Sequence, residues 1–143
     1  MNVADMMTAK PVTIYQNETL YRALDAMARV SCHHLPVLSH ESHIVGVITF
    51  HDCLRALRPA GQPAEDWDEA QAAHRIQVRA VMSPAPIIVE PDMPADEAAR
   101  LMLAHHVSCL PVMRSETLVG IITTSDIMTA FIRMHRRETA NHT

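Results

Sequence analysis

The sequence predicts an α/β (α+β) fold built from two copies of one β-α-β-β-α unit. Three observations carry that prediction: the chain repeats itself, each copy places a single-faced helix among short apolar strands, and turn residues separate these elements. With Val3 laid on Val78, Met7 falls on Met82, Pro11 on Pro86, Ala23 on Ala98 and Met27 on Met102. Leu35-Pro36-Val37 then falls on Leu110-Pro111-Val112. One residue is lost near His43, after which Val45-Gly46 matches Val119-Gly120, Ile48-Thr49 matches Ile122-Thr123, and Asp52 matches Asp126. So many identities with a single gap mark an internal duplication.

The elements follow in order. Pro11-Val12-Thr13-Ile14 reads as a short strand, and Gln16-Asn17-Glu18 supplies turn chemistry before a helix. Leu20, Leu24, Met27 and Ala28 lie at helical spacing and predict one buried face. In the second copy Pro94 suits the first turn of the matching helix, continued by Ala98, Leu101, Met102 and Leu103. Leu35 to Leu38 and Ile44 to Ile48 are two strands joined by a short polar loop, a hairpin. A second helix follows from about His51 to Leu57, and in the other copy from about Ser125 to Met134. Two such units, each with one apolar sheet face, bury those faces best against each other. The organisation is a first repeat over 1–58, a linker over 59–77, a second repeat over 78–135 and a frayed tail over 136–143. The linker opens on Pro59, Gly61 and Pro63, turns acidic at Glu65, Asp66, Asp68 and Glu69, and carries a helical turn around Asp68 to His74. Carboxylates there favour a helix start near Trp67, which is alternatively a docking residue.

Composition excludes several classes of function. Nearly half the residues are apolar but only 3% are aromatic, so Val, Ile, Leu, Met and Ala must fill the core. The formal net charge is −4, with acids and bases interspersed and no basic stripe for nucleic acid. Cys32, Cys53 and Cys109 form an odd, widely spaced set without a CxxC pair, which points to reduced thiols in the cytoplasm. There is no signal-peptide pattern, and no apolar run approaches the ~18 to 20 residues that span a bilayer. The expectation is a soluble cytoplasmic protein.

The duplicated signature Thr-x-x-Asp ends each repeat, at Thr49 to Asp52 and at Thr123 to Asp126. One account of it is structural: the threonine caps a helix, and the aspartate three residues later completes a capping box. The other account is functional and compatible with the first. An acid beside a strand end accepts hydrogen bonds from a ribose diol, and a helix start receives phosphate. An apolar strand alongside flanks a purine.

With Met7-Thr8 and Met82-Ser83 near the start of each copy, Leu-Pro-Val in the middle and Gly-h-h-Thr-x-x-Asp at the end, the chain resembles a tandem pair of CBS (cystathionine beta-synthase) domains, a Bateman module. The resemblance covers both copies. It implies two β-α-β-β-α repeats packed around a pseudo-twofold axis, often as a homodimer. It also implies adenosine nucleotides of the AMP, ADP or ATP class bound in clefts between the repeats as regulatory ligands, with no further cofactor. Carried over, one site uses Thr123, Ser125 and Asp126 with Thr8, Val12, His33 and His34. Asp126 holds the ribose, Val12 touches the base, and Thr123, Ser125 and the histidines face phosphate. The second site uses Thr49, His51 and Asp52 with Ser83, Ile87 and Ser108. The family often has a basic residue just before Leu-Pro. Here that position holds His34 in one copy and Cys109 in the other, so the Asp126 site is the better equipped.

Other readings compete. Ten histidines, among them His33, His34, His40, His43 and His51 beside Cys32, invite a metal site. No second cysteine or carboxylate pair completes one, and loop histidines on a solvated hairpin explain the pattern better. A Gly-rich phosphate loop and a nucleophile elbow are both missing, and Cys32 and Cys109 sit near apolar strands, so no catalytic residues are expected. The expectation is a stand-alone regulatory module that signals by conformational change to a separate effector protein. The alternative is a ligand-free module that dimerises or docks on a partner.

Overall fold

The computed structural model describes residues 1–61, 63 and 67–142, so Glu65 and Asp66 of the acidic linker lie outside the described residues. In chain order the elements are α1 (Val3–Met6), β1 (Thr8–Ala9), β2 (Ile14–Tyr15), α2 (Leu20–Val30), β3 (His34–Leu38), β4 (Ile44–Thr49), α3 (Phe50–Leu57) and α4 (Glu69–Arg75). A 3-10 turn at Val78–Ala80 leads to β5 (Ser83–Pro84), α5 (Ala95–His105), β6 (Cys109–Arg114), β7 (Thr117–Thr123) and α6 (Thr124–Asn141). The mixed α/β architecture is therefore as the sequence predicts.

These elements gather into two units whose limits cut across the repeats: Val12–Pro86 forms one, and Met1–Pro11 joins Ile87–Thr143 in the other. In the first unit the sheet order is β2-β3-β4-β5. Leu20, Ala23 and Met27 of α2 meet Leu35 and Val37 of β3 and Ile48 of β4 in its core. Thr19 caps α2 by accepting the Arg22 N–H, and Asp68 caps α4 by accepting the Gln71 N–H. The Trp67 indole N–H donates to the Leu57 carbonyl, and its ring packs on this core, so Trp67 is engaged inside its own unit. In the other unit the order is β1-β7-β6, with Val3, Ala98, Met102, Leu110, Val112 and Ile122 at the centre.

The duplication is visible in the backbone. His34 to Val37 pair with Thr49 to Gly46, and Cys109 to Val112 pair with Thr123 to Gly120, each ladder slipping register directly after the valine. The lost residue falls in the hairpin turn, which adopts positive φ at Ser42 in one copy and Ser115 in the other. Ser31 and His106 end equivalent helices in the left-handed conformation. Lys10 and Ala85 share positive φ after the short strands β1 and β5.

Several boundaries differ from the sequence reading. The first strand of the Val12–Pro86 unit starts at Ile14, not Pro11. On α2, Ala23 takes the buried place and Ala28 faces solvent, because the three-residue step from Leu20 meets the sheet. Pro94 stands at the N-cap of α5 rather than inside it, and Leu103 is exposed. The tail beyond Arg136 continues α6 to Asn141: it holds neither Gly nor Pro to stop a helix, and the Thr139 hydroxyl donates to the His135 carbonyl. Among the described residues no helix is long and apolar enough to cross a membrane.

Candidate functional site

Both Thr-x-x-Asp segments form reciprocal capping boxes. In the Val12–Pro86 unit Thr49 Oγ1 accepts the Asp52 N–H at 3.0 Å, and Asp52 Oδ2 accepts the Thr49 N–H at 3.0 Å. In the other unit Thr123 Oγ1 accepts the Asp126 N–H at 3.3 Å, while Asp126 Oδ2 accepts the Thr123 N–H at 2.9 Å. The Thr123 hydroxyl lies 3.1 Å from the same oxygen and donates to it. The structural account of the signature is thus realised, and it uses only one carboxylate oxygen of each aspartate.

The second oxygen separates the twins. Asp52 Oδ1 accepts from Arg55 Nη2 at 2.8 Å in an ion pair along α3. The residue three places after Asp126 is Thr129, and Asp126 Oδ1 has no partner among the described residues. Asp126 therefore keeps acceptor capacity that Asp52 has already committed.

The elements distribute the sequence-predicted residues between the units. Thr8, Ile87, Ser108, Thr123, Ser125 and Asp126 belong to one, and Val12, His33, His34, Thr49, His51, Asp52 and Ser83 to the other. Strand exchange positions Thr8: β1 pairs antiparallel with β7, so Thr8 lies opposite Ile121, two residues before Thr123. Ser83 on β5 lies opposite Val47 in the same way. The Ser108 carbonyl accepts the Thr124 N–H at 3.0 Å, and the His33 carbonyl accepts the Phe50 N–H at 2.9 Å. The residues before Leu-Pro are thereby tied to the helix start of their own repeat. The His33 ring stacks on Phe50, with centroids 5.3 Å apart, and His34 faces Thr49 across the ladder.

Thr8 and Asp126 line one cavity of about 360 Å³, together with Asp5, Thr129, Arg133 and Arg137. That volume lies within the ~300 to 1,000 Å³ of typical ligand pockets. Thr129, Arg133 and Arg137 were not singled out as site residues from the sequence. Their signal was present, since with Asp126 they fall three or four residues apart on one face of a helix. Predicting that helix to end near Met134 left out only Arg137.

The remaining chemistry is sparse. Burial pushes the Cys53 thiol up to about 11, and the neighbouring Asp52 carboxylate adds to the rise, so Cys53 is a protonated core residue at neutral pH. Cys109 is buried and Cys32 half-buried. Among the described residues no three His, Cys, Asp or Glu side chains are grouped to hold a metal ion.

Duplicated α/β units, each with a boxed helix start beside a strand taken from the other repeat, define a tandem, strand-exchanged architecture. The CBS domain family model matches residues 3–59 and 78–133, and the chain belongs to that family as a CBS pair. A CBS domain-containing protein of Dictyostelium discoideum is 30% identical over 133 residues, covering 92% of each chain. Among solved structures, a putative acetoin utilization protein (AcuB) from Vibrio cholerae superposes with a TM-score of 0.76 at 28% identity, covering 98% of this chain and 96% of that one. The CBS domain pair of protein MJ0100, in complex with 5'-methylthioadenosine and S-adenosyl-L-methionine, also gives 0.76, at 26% identity and with 92% and 95% covered.

Proposed function

We propose that this CBS pair is a regulatory module that binds an adenosine nucleotide through Asp126. One observation carries the reading: Asp126 lines a ligand-sized cavity with Thr8 while one of its carboxylate oxygens has no protein partner among the described residues. A ribose diol offers two adjacent hydroxyl donors and suits such an acceptor. The CBS pair of protein MJ0100 supports the ribose contact, because both molecules in that complex carry an adenosyl group with its ribose diol. Thr123 and Ser125 of the same unit are proposed as further contacts from the family resemblance, and Asp52 with Thr49, His51 and Ser83 as a weaker second site. Binding favours whichever conformation completes the ligand's contacts, in proportion to its differential affinity. An effector protein or a second copy of the chain reads that shift, for which exposed Leu103, Met128 and Phe131 offer apolar surface.

Calorimetry with AMP, ADP, ATP and S-adenosylmethionine tests the reading. Asp126→Ala should weaken binding about 10- to 150-fold, the worth of charged hydrogen bonds at ~1.5 to 3 kcal/mol. Silence of all four ligands at millimolar concentration rejects nucleotide sensing. Binding that survives Asp126→Ala rejects the site.

A further inference from the structure

We propose that Arg133 and Arg137 hold the phosphate of the bound nucleotide, so that the Asp126 site selects phosphorylated adenosines over adenosine itself. The inference rests on the ribose reading of Asp126 and deepens it by assigning the anionic end of the ligand. Asp126, Thr129, Arg133 and Arg137 follow one another along one face of α6, and all four line the same cavity. At 1.5 Å per residue, Arg133 stands about 10 Å and Arg137 about 16 Å along the axis from Asp126. Long helical side chains lean toward the N-terminus, and the Asp126 carboxylate leans the same way onto the Thr123 N–H, so the ligand itself must extend along α6 from its ribose to reach the arginines.

Charge makes the same point independently. Arg29, Arg55 and Arg100 each pair with a carboxylate three or four residues earlier on their own helix. Arg133 and Arg137 have no such partner among the described residues and are instead four apart from each other, a like-charge spacing that destabilises a helix. An anion between them removes that repulsion. Of the cavity's two carboxylates, Asp5 uses Oδ2 to accept the Asn2 N–H at 2.7 Å and Asp126 completes its capping box, and among the described residues neither forms an ion pair with Arg133 or Arg137. Guanidinium groups bind phosphate through paired N–H donors, which matches them to a nucleotide whose ribose sits at Asp126. Thr8 and Thr129 add hydroxyls to the same cavity.

The test compares adenosine, AMP, ADP and ATP on wild type and on the Arg133→Gln/Arg137→Gln double variant by calorimetry at low salt. Both arginines are exposed on α6, and circular dichroism checks that the helix is retained. Wild type should bind at least one phosphorylated form ten or more times tighter than adenosine. The double variant should lose that advantage to within about twofold while binding adenosine as wild type does. Arg133→Lys/Arg137→Lys, which keeps charge but not the paired donors, should retain part of it. A full phosphate advantage in the Gln variant overturns the inference, as does wild type that binds adenosine as tightly as every phosphorylated form. Either result leaves the Asp126 reading standing. Wild type that binds neither adenosine nor its phosphates removes both.

Discussion

Asp52 and Asp126 occupy the same place in the duplicated sequence, and the residue three positions on sets them apart. Arg55 takes the free oxygen of Asp52, whereas Thr129 leaves that of Asp126 open. A ribose arriving at Asp52 must displace a guanidinium whose side chain is 67% exposed. Exposed ion pairs are typically worth no more than ~1 kcal/mol, so under the proposed function this competition would weaken a site at Asp52 rather than close it. Arg55→Thr, which copies the second repeat, should therefore raise nucleotide affinity at Asp52 about fivefold. Calorimetry in an Asp126→Ala background isolates that site, and unchanged affinity would show that Arg55 is not what weakens it. The sequence ranks the two proposed sites by a different feature, His34 against Cys109. Cys109 proves to be buried at the head of β6, opposite Thr123.

At the scale of elements, the helices and hairpins were legible because each carries many apolar residues at one spacing. Strands β1 and β5 were not, being two residues long, exposed and without an apolar pattern. Their presence was written instead in Gly46 and Gly120, whose place in apolar strands has a steric cause. A Cβ on Gly46 would meet Met82 Sδ at 2.7 Å and the Ser83 carbonyl oxygen at 2.8 Å. A Cβ on Gly120 would strike Met7 Sδ and come within 3.0 Å of the Thr8 carbonyl oxygen. Methionine can swing aside, but a strand carbonyl held in its ladder cannot. Gly46→Ala and Gly120→Ala should each destabilise the protein, within the ~1 to 3 kcal/mol of overpacked sites, with Gly46→Ala the more costly. Urea unfolding measures both. Adding Met7→Ala should recover much of the loss in Gly120→Ala, while Met82→Ala recovers less in Gly46→Ala. Equal recovery in the two pairs would mean that side chains, not the strand backbone, set the cost.

For the whole molecule, the repeat seen by matching residues is not the unit that packs. Similarity reveals which segments share ancestry, but it is blind to which copy a short segment folds against. Residues 1–11 match 76–86 in sequence yet complete the other unit. Val3 is fully buried in that unit's core, and its N–H donates to the Met93 carbonyl at 2.9 Å. The Ala4 N–H donates to Pro91 at 2.9 Å, the Ala95 N–H to Met1 at 3.0 Å and the Lys10 N–H to Val119 at 3.2 Å. A polypeptide of residues 78–143 contains the whole second repeat but lacks Val3, α1 and the edge strand beside β7. Removing them leaves a core void where Val3 sat and uncovers β7, so this polypeptide should fail to unfold cooperatively in urea. Residues 87–143 followed by a Gly-Ser linker and residues 1–11 restore every one of those contacts. Met1 and Arg137 line the same cavity and α6 runs only four residues further, to Asn141, so a linker of about ten residues, with a root-mean-square reach of roughly 17 Å, suits the span from the end of α6 back to Met1. This rearranged chain should show helical circular dichroism and a single cooperative transition, and Val3→Asp should abolish both. A cooperative transition in 78–143 alone would place the folding unit at the repeat instead of across it.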